Sequence, residues 1–163
     1  MIRSGRNPGS YILQLNLAST RKIRIGKLGC FIFSAGSYVY TGSAFGPGGI
    51  AARLHRHNEK EKVKHWHIDF LRSECDIERM LVLFAIDKTV ETWPTGNRIE
   101  CIWSQEITAL DGVTIPVIGF GSSDCISGCR SHLLLLPKDT SMDIKQILEN
   151  ITPGIEDFDI SCL

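Results

Sequence analysis

No stretch of this chain is apolar for long enough to cross a bilayer. The longest strongly apolar runs, residues 80–86 and 133–136, fall far short of the roughly 20 residues a spanning helix needs. The opening residues, MIRSGRNPGS, have no apolar stretch behind their basic positions, so no secretory signal is expected. The expected location is cytoplasmic, with no membrane partner. Cysteine is thinly spread: Cys30, Cys75, Cys101, Cys125, Cys129 and Cys162 lack the density of a disulfide scaffold, which leaves them as thiols, core residues or metal ligands. Internal repeats and low-complexity tracts are absent. Nothing resembles a zinc finger or a helix-turn-helix, so a separate DNA-reading module, and the tight specificity it would confer, are not expected. Disorder is excluded by 43% hydrophobic and 22% charged residues over 163 positions, the values of an ordinary folded chain with a single core.

Net charge is lacking as well, but only in the sum. Residues 1–72 hold twelve Lys/Arg against three Asp/Glu, a balance of +9, and residues 73–163 hold six against fifteen, a balance of −9. A basic half of that size can attract a polyanion by counterion release. Two halves that attract each other within the fold would carry the same asymmetry, and charge counts do not choose between the two readings.

Alternation of apolar and polar residues over 10–18 (SYILQLNLA) predicts a strand. Residues 22–33 (KIRIGKLGCFIF) begin with the same alternation, are broken by Gly26 and Gly29, and predict a second strand with a bulge or turn. Residues 37–42 (SYVYTG), rich in Tyr and Val, predict a third. Short connections make these an antiparallel meander. The loop 43–49 (SAFGPGG) is an irregular turn. Residues 50–57 (IAARLHRH) predict a helix, with Ile50 and Leu54 on one face and Arg53, Arg56 and His57 on another. A short helix or turn over 65–73 and a buried strand over 78–87 follow, then a helix capped by Asn97 and running to about Leu110. A strand over 131–136, a helix over 139–150 and an acidic tail that reads as an appendage complete the chain. The sum is an α+β fold: a small central antiparallel sheet, with a three-stranded core and an inserted strand, flanked by helices. Its main body is expected over residues 8–136, with the C-terminal helix and tail over 137–163.

Hydrolysis of a phosphodiester needs a base for the nucleophile and a cation to neutralise the transition state. It usually also needs a metal to polarise the phosphate, and some assistance to the leaving oxygen. The first hundred residues hold candidates for each: Tyr11 and Tyr40 on strands, Arg53 and His57 one helical turn apart, and Glu100 at the start of a later helix. The i,i+4 spacing puts Arg53 and His57 on the same helix face, from which both could address one phosphate. Each residue also has an ordinary reading: packed aromatics, a solvated arginine, and a glutamate that favours a helix N-terminus.

The order of these motifs resembles the GIY-YIG nuclease superfamily, and in detail its Uri-like branch, which is also catalogued as a domain of unknown function. Gly9-Ser10-Tyr11 stands where that family has GIY, and Tyr40-Thr41-Gly42 where it has YIG. YTGSA (40–44) followed by ARLHRH (52–57) is similar to the YVGSA and RWKRH-type stretch of phage homing endonucleases. Glu100-Cys101 matches the segment that carries the family's metal-binding glutamate. HWHID (65–69), FGSSDC (120–125) and Ser131-His132-Leu133 are marks of the Uri-like branch. The likeness covers residues 8–136. The two tyrosines stand 29 positions apart, wider than in typical members, which makes residues 22–33 an insertion.

The resemblance implies a metal-dependent endonuclease acting on nucleic acid, most readily DNA. Tyr11 would be the general base or would position the attacking water, Tyr40 would orient the phosphate, and Arg53 would stabilise negative charge. His57 would assist at the phosphate, with His65 in support. Glu100 would hold a single Mg²⁺ or Mn²⁺, hard cations that prefer oxygen. Gly42, Ser43, Arg56 and Lys64 are the positions expected to meet nucleic acid. Small nucleases of this kind often depend on a protein partner or a second copy for targeting. The alternative is a non-catalytic nucleic-acid-binding module that keeps the fold.

Two clusters invite metal. His55, His57, His65 and His67 crowd into thirteen residues, a pattern that a substrate-facing basic strip explains as well as a transition metal does. Cys125, Cys129 and His132 have a spacing that zinc tolerates, and Cys101 would complete a set. The competing reading makes Cys125 and Cys129 buried thiols beside the tight loop at 119–123.

Overall fold

The computed structural model describes residues 7–86, 98–139, 141–159 and 161. Its elements run in chain order as β1 (Gly9–Leu17), β2 (Arg21–Ile25), β3 (Gly29–Phe33), β4 (Gly36–Ser43), α1 (Gly49–Asn58), α2 (His67–Arg72), β5 (Asp76–Phe84), α3 (Ile99–Thr108), β6 (Leu133–Leu135), α4 (Ile144–Glu149) and β7 (Glu156–Asp157). The class is α+β, with a five-stranded antiparallel sheet ordered β6-β4-β1-β5-β7 and a separate two-stranded sheet of β2 and β3.

β1 is the central strand; both of its faces are buried over residues 9–13, while Gln14 and Asn16 are half-buried between Leu13, Leu15 and Leu17. Tyr11, Leu13, Leu15 and Leu17 point into one core with Ile50 and Leu54 of α1 and Ile68 and Leu71 of α2. Ile12 points the other way, into a second core with Val39, Leu81, Trp103 and Ile107. The period of two along a strand thus sorts neighbouring residues into two layers of helices.

The insertion differs from the expected single strand within a meander. β1 pairs directly with β4, while residues 21–33 double back on themselves, with Arg21 opposite Phe33 and Ile25 opposite Gly29. The turn begins at Gly26, whose φ of 48° belongs to the left-handed region. Ile23, Ile25 and Phe33 of this hairpin are buried in the first core. A strand pair that closes on itself leaves the β1–β4 ladder uninterrupted, so a wide sequence gap between the tyrosines becomes a short distance in space.

The C-terminal segment is built into the body and is not an appendage. Ile144, Leu148 and Ile155 belong to the second core, and Trp103 Nε1 donates to Thr152 Oγ1 at 2.7 Å. β7 pairs with β5, Leu81 standing opposite Asp157, and so covers that sheet edge. The proposed cap Asn97 lies outside the described residues; α3 begins at Ile99 behind Arg98.

Ion pairs lie mainly within each charge half. Asp69 pairs with Arg56 and Lys62, Arg79 with Asp143 and Asp157, and Lys145 with Asp157. The exposed pair of Lys60 with Asp76 crosses between the halves.

Candidate functional site

The β1–β4 register sets the site. Tyr11 stands opposite Gly42, and Tyr40 opposite Leu13, so the two tyrosines are diagonal neighbours on one face, with ring centroids 6.5 Å apart. Gly42 is there because the ring of Tyr11 lies over it. A Cβ at position 42 would sit 2.4 Å from the Tyr11 hydroxyl oxygen and 2.5 Å from Cζ, distances that no packed side chain tolerates. Gly42→Ala is therefore expected to push the Tyr11 ring aside and lower stability by about 1–3 kcal/mol, the usual cost of overpacking. Thermal unfolding read beside near-ultraviolet circular dichroism checks this, and an unchanged transition would refute it.

α1 is fixed at its far end by a buried arginine. Arg72 of α2 donates to the carbonyls of His57 at 2.8 Å, of Asn58 at 3.2 Å, and of Cys75, filling acceptors that a helix C-terminus otherwise leaves unpaired. His57 is thereby held beneath the tyrosines, and its Nε2 lies 2.8 Å from the Tyr11 hydroxyl. Arg53 and His57 share a helix face as expected, but at different depths. His57 is fully buried, whereas Arg53 is half-buried and lines the cleft above it. Direct assistance by His57 at a phosphate is not what this geometry offers, because the phenol of Tyr11 occupies its Nε2.

Burial, with the Lys62 cation nearby, pushes the His57 imidazole down to about 3, although Asp69 opposes the shift. The ring is neutral at ordinary pH. Among the described residues its Nδ1 has no hydrogen-bond partner. An orphaned N–H is rarer in folded proteins than an under-used acceptor, so the favoured tautomer carries its proton on Nε2 and donates it to Tyr11 Oη. That leaves the Tyr11 proton free to point into the cleft. Burial also raises the phenol of Tyr11 well above its ordinary value; Tyr40 adds to this and Arg53 opposes it. Tyr40 is likewise raised by burial and lowered by Arg53.

The cleft encloses about 250 Å³. Tyr11, Tyr40, Gly42, Ser43, Arg53 and Glu100 all line it, drawn from two strands and two helices. Glu100 is 4% exposed, and Ser10 Oγ donates to its Oε2 at 3.5 Å. Asp124 lines the same space. Both carboxylates offer oxygen, the ligand type that a hard cation prefers.

The remaining expected residues lie elsewhere. His65 is exposed, and its backbone N–H donates to Asp69 Oδ2 at 2.9 Å. Lys64 reaches Ser73 Oγ at 3.3 Å and the ring of Phe70. Arg56 is committed to Asp69 Oδ2 at 2.7 Å and to the Val63 carbonyl. Helical and loop spacing gave these three a plausible neighbourhood, but the buried Asp69 gathers this segment away from the cleft. His67 Nδ1 accepts from the Gly121 amide at 3.0 Å, so it braces the far wall of the cleft and does not join a histidine strip.

Trp66, which the sequence offers as a residue closing the core, is instead 37% exposed. It lines the cleft, with the Arg53 guanidinium 4.3 Å and that of Arg56 4.7 Å from its ring centre. Asp69 fixes it by accepting its backbone N–H at 3.0 Å. Burial works to raise the Asp69 carboxyl, but the amides of Trp66 and His65, with Lys62 and Arg56, outweigh it and hold the group below its usual range. The HWHID string was the available signal.

A family model described as Domain of unknown function DUF123 matches residues 10–153. The chain belongs to that family. No curated protein and no solved structure matches it. The DUF123 match takes in both strands that carry the tyrosines, helices α1 to α4 and the whole cleft. Among the described residues of this DUF123 domain, no helix is long and apolar enough to cross a membrane.

Proposed function

We propose that the cleft hydrolyses phosphodiester bonds in nucleic acid, most readily DNA, in the manner of the GIY-YIG nucleases that the sequence resembles. The observation that carries this reading is the convergence of Tyr11, Tyr40, Arg53 and Glu100 on one cleft, with His57 behind Tyr11. Glu100, with Asp124 at the rim, would hold one Mg²⁺ or Mn²⁺. When bound, that ion supplies Lewis-acid neutralisation of phosphate charge.

The chain's own residues divide the remaining work. Arg53, levelled by Trp66, presents a flat guanidinium that matches two phosphate oxygens. Tyr40 offers its hydroxyl to the phosphate and so orients it for in-line attack. Tyr11 acts as the phenolate: its own proton leaves first through the cleft to bulk solvent, and its oxygen then takes one proton from the attacking water. The leaving oxygen is protonated from solvent, and His57 stabilises the phenolate form by donating Nε2–H to Oη. A neutral His57 cannot itself be the proton's destination near pH 7, because burial holds its basicity so low. Burial also favours the neutral phenol of Tyr11, so its activation depends on positive charge at the site, to which Arg53 already contributes. The basic first half of the chain supports a polyanionic substrate.

Plasmid and labelled oligonucleotides, single- and double-stranded, DNA and RNA, are incubated with Mg²⁺ or Mn²⁺ beside the Glu100→Ala variant. Cleavage that needs the metal and disappears in the variant is the expected result. Salt-sensitive binding with no turnover on any substrate would overturn it and leave a binding module in its place.

A further inference from the structure

In the wall of the cleft, which Cys101, Cys125 and His132 help to line, lies a cluster of side chains that the proposed hydrolysis does not use. Cys101 on α3, Cys125 and Cys129 on the loop that follows, and His132 just before β6 each bring one ligand atom within 4.8 Å of all the others. Cys101 Sγ is 3.5 Å from Cys125 Sγ and 3.8 Å from His132 Nε2. A tetrahedral zinc ion with its usual bond lengths sets two sulfurs about 3.8 Å apart and a sulfur and a nitrogen about 3.6 Å apart. The observed separations lie close to both edges. The cysteines are free thiols. Three sulfurs and one imidazole form a soft donor set suited to zinc and unsuited to Mg²⁺ or Mn²⁺.

We propose that Cys101, Cys125, Cys129 and His132 hold a structural zinc ion that fastens the loop at 119–132 to α3. The outer part of the loop is exposed at Ser123, Asp124, Ile126, Gly128 and Arg130, and Gln105 Nε2 of α3, which donates to the Ser127 carbonyl at 3.2 Å, ties it to the same helix. Four protein ligands close the coordination sphere, so this ion organises structure and does not activate water. Gln105 Nε2 donates to Cys129 Sγ at 3.6 Å, the kind of outer hydrogen bond that orients and stabilises a ligating thiolate.

The position of the ion gives it a task. Cys101 adjoins Glu100 on α3, and the backbone carbonyl of His132 accepts the Thr41 amide at 3.0 Å, next to Tyr40. At Gly121 an added Cβ would meet the Tyr40 ring at 2.9 Å, so the loop packs directly on that tyrosine. Zinc would therefore tie together the two walls of the cleft that carry Glu100 and Tyr40. Nothing in this inference depends on cleavage, and its test reads metal content and stability only.

The full chain, purified without added metal under reducing conditions, is expected to retain one zinc per molecule through gel filtration, measured by plasma mass spectrometry. Exchange with Co²⁺ should produce the intense visible bands and sulfur-to-metal charge transfer of a tetrahedral thiolate site. Cys125→Ser and Cys129→Ser should each lose most of the metal, while Cys30→Ser, on an exposed position of the hairpin, and Glu100→Ala should keep it. Should the serine variants fail to fold, chelation of the native chain serves instead: zinc removal should lower its Tm, and readdition of zinc should restore it. A metal-free native chain, a weak octahedral Co²⁺ spectrum, or zinc retained in full by the Cys125→Ser, Cys129→Ser double variant would each overturn the proposal. A Cys101–Cys125 disulfide in the reduced preparation would do the same.

Discussion

Arg53→Ala is expected to lower metal-dependent cleavage by about 10³-fold or more, the loss typical of removing a guanidinium that stabilises a phosphoryl-transfer transition state. Arg53 lies half-buried at the cleft wall and stacks on Trp66 at 4.3 Å, so the surrounding structure already fixes its orientation and little ordering remains to be done when a phosphate arrives. Arg53→Lys should recover only a small part of the activity, because an ammonium neither stacks flat on indole nor reaches two oxygens at once. Stability should fall by less than about 1 kcal/mol, the scale of one stacked cation. Single-turnover rates at saturating enzyme, with unfolding curves for both variants, separate the two effects. A rate in the alanine variant equal to that of the parent chain would remove Arg53 from the chemistry.

Acid sensitivity is the second large effect. In the folded chain His57 is held at about 3, against an ordinary value of 6.5. Between those limits the unfolded chain binds a proton that the folded chain refuses. The contribution of His57 to stability is therefore complete above pH 6.5 and is lost as pH falls toward 3, at up to about 1.4 kcal/mol per pH unit. Urea unfolding at a series of pH values below 6.5 should show this slope. His57→Gln keeps a side chain able to hydrogen-bond Tyr11 but removes the titration, so its stability should vary less over the same window. Parallel slopes in parent and variant would mean that His57 is not held neutral.

Some of this architecture was readable from residue order because the forces involved act locally. Alternation along residues 10–18 reports a half-turn per residue, and the structure has β1 there. Ile50 and Leu54 lie on one face of a helix whether or not anything packs against it, and both are buried in α1. The Cys125, Cys129 and His132 spacing was visible for the same reason, since a loop of that length keeps its members within reach of one another. The hairpin of β2 and β3 was not readable, because alternation interrupted by Gly26 does not say whether the chain continues or doubles back. Nor was the depth of His57, since i,i+4 spacing fixes a face and not a distance from solvent. Arg72, a charged residue in a short amphipathic stretch, gave no sign that it would be buried against the carbonyls of His57 and Asn58. That role exists only because α2 is laid across the end of α1.

By itself, then, the order of residues determined an α+β chain, the strands that carry Tyr11 and Tyr40, the helix that carries Arg53, and the set of sulfurs and imidazole that could meet a metal. Tertiary structure alone decided that β1 and β4 pair across the insertion, that Glu100 and Arg53 line the same 250 Å³ cleft, that His57 serves Tyr11 from beneath, and that Cys101 completes its cluster from another element. The reason is physical. Periodicity and propensity are set by neighbours a few residues away, whereas a site assembled from residues 11, 40, 53 and 100 depends on loop closure and on two cores packing against opposite faces of one strand.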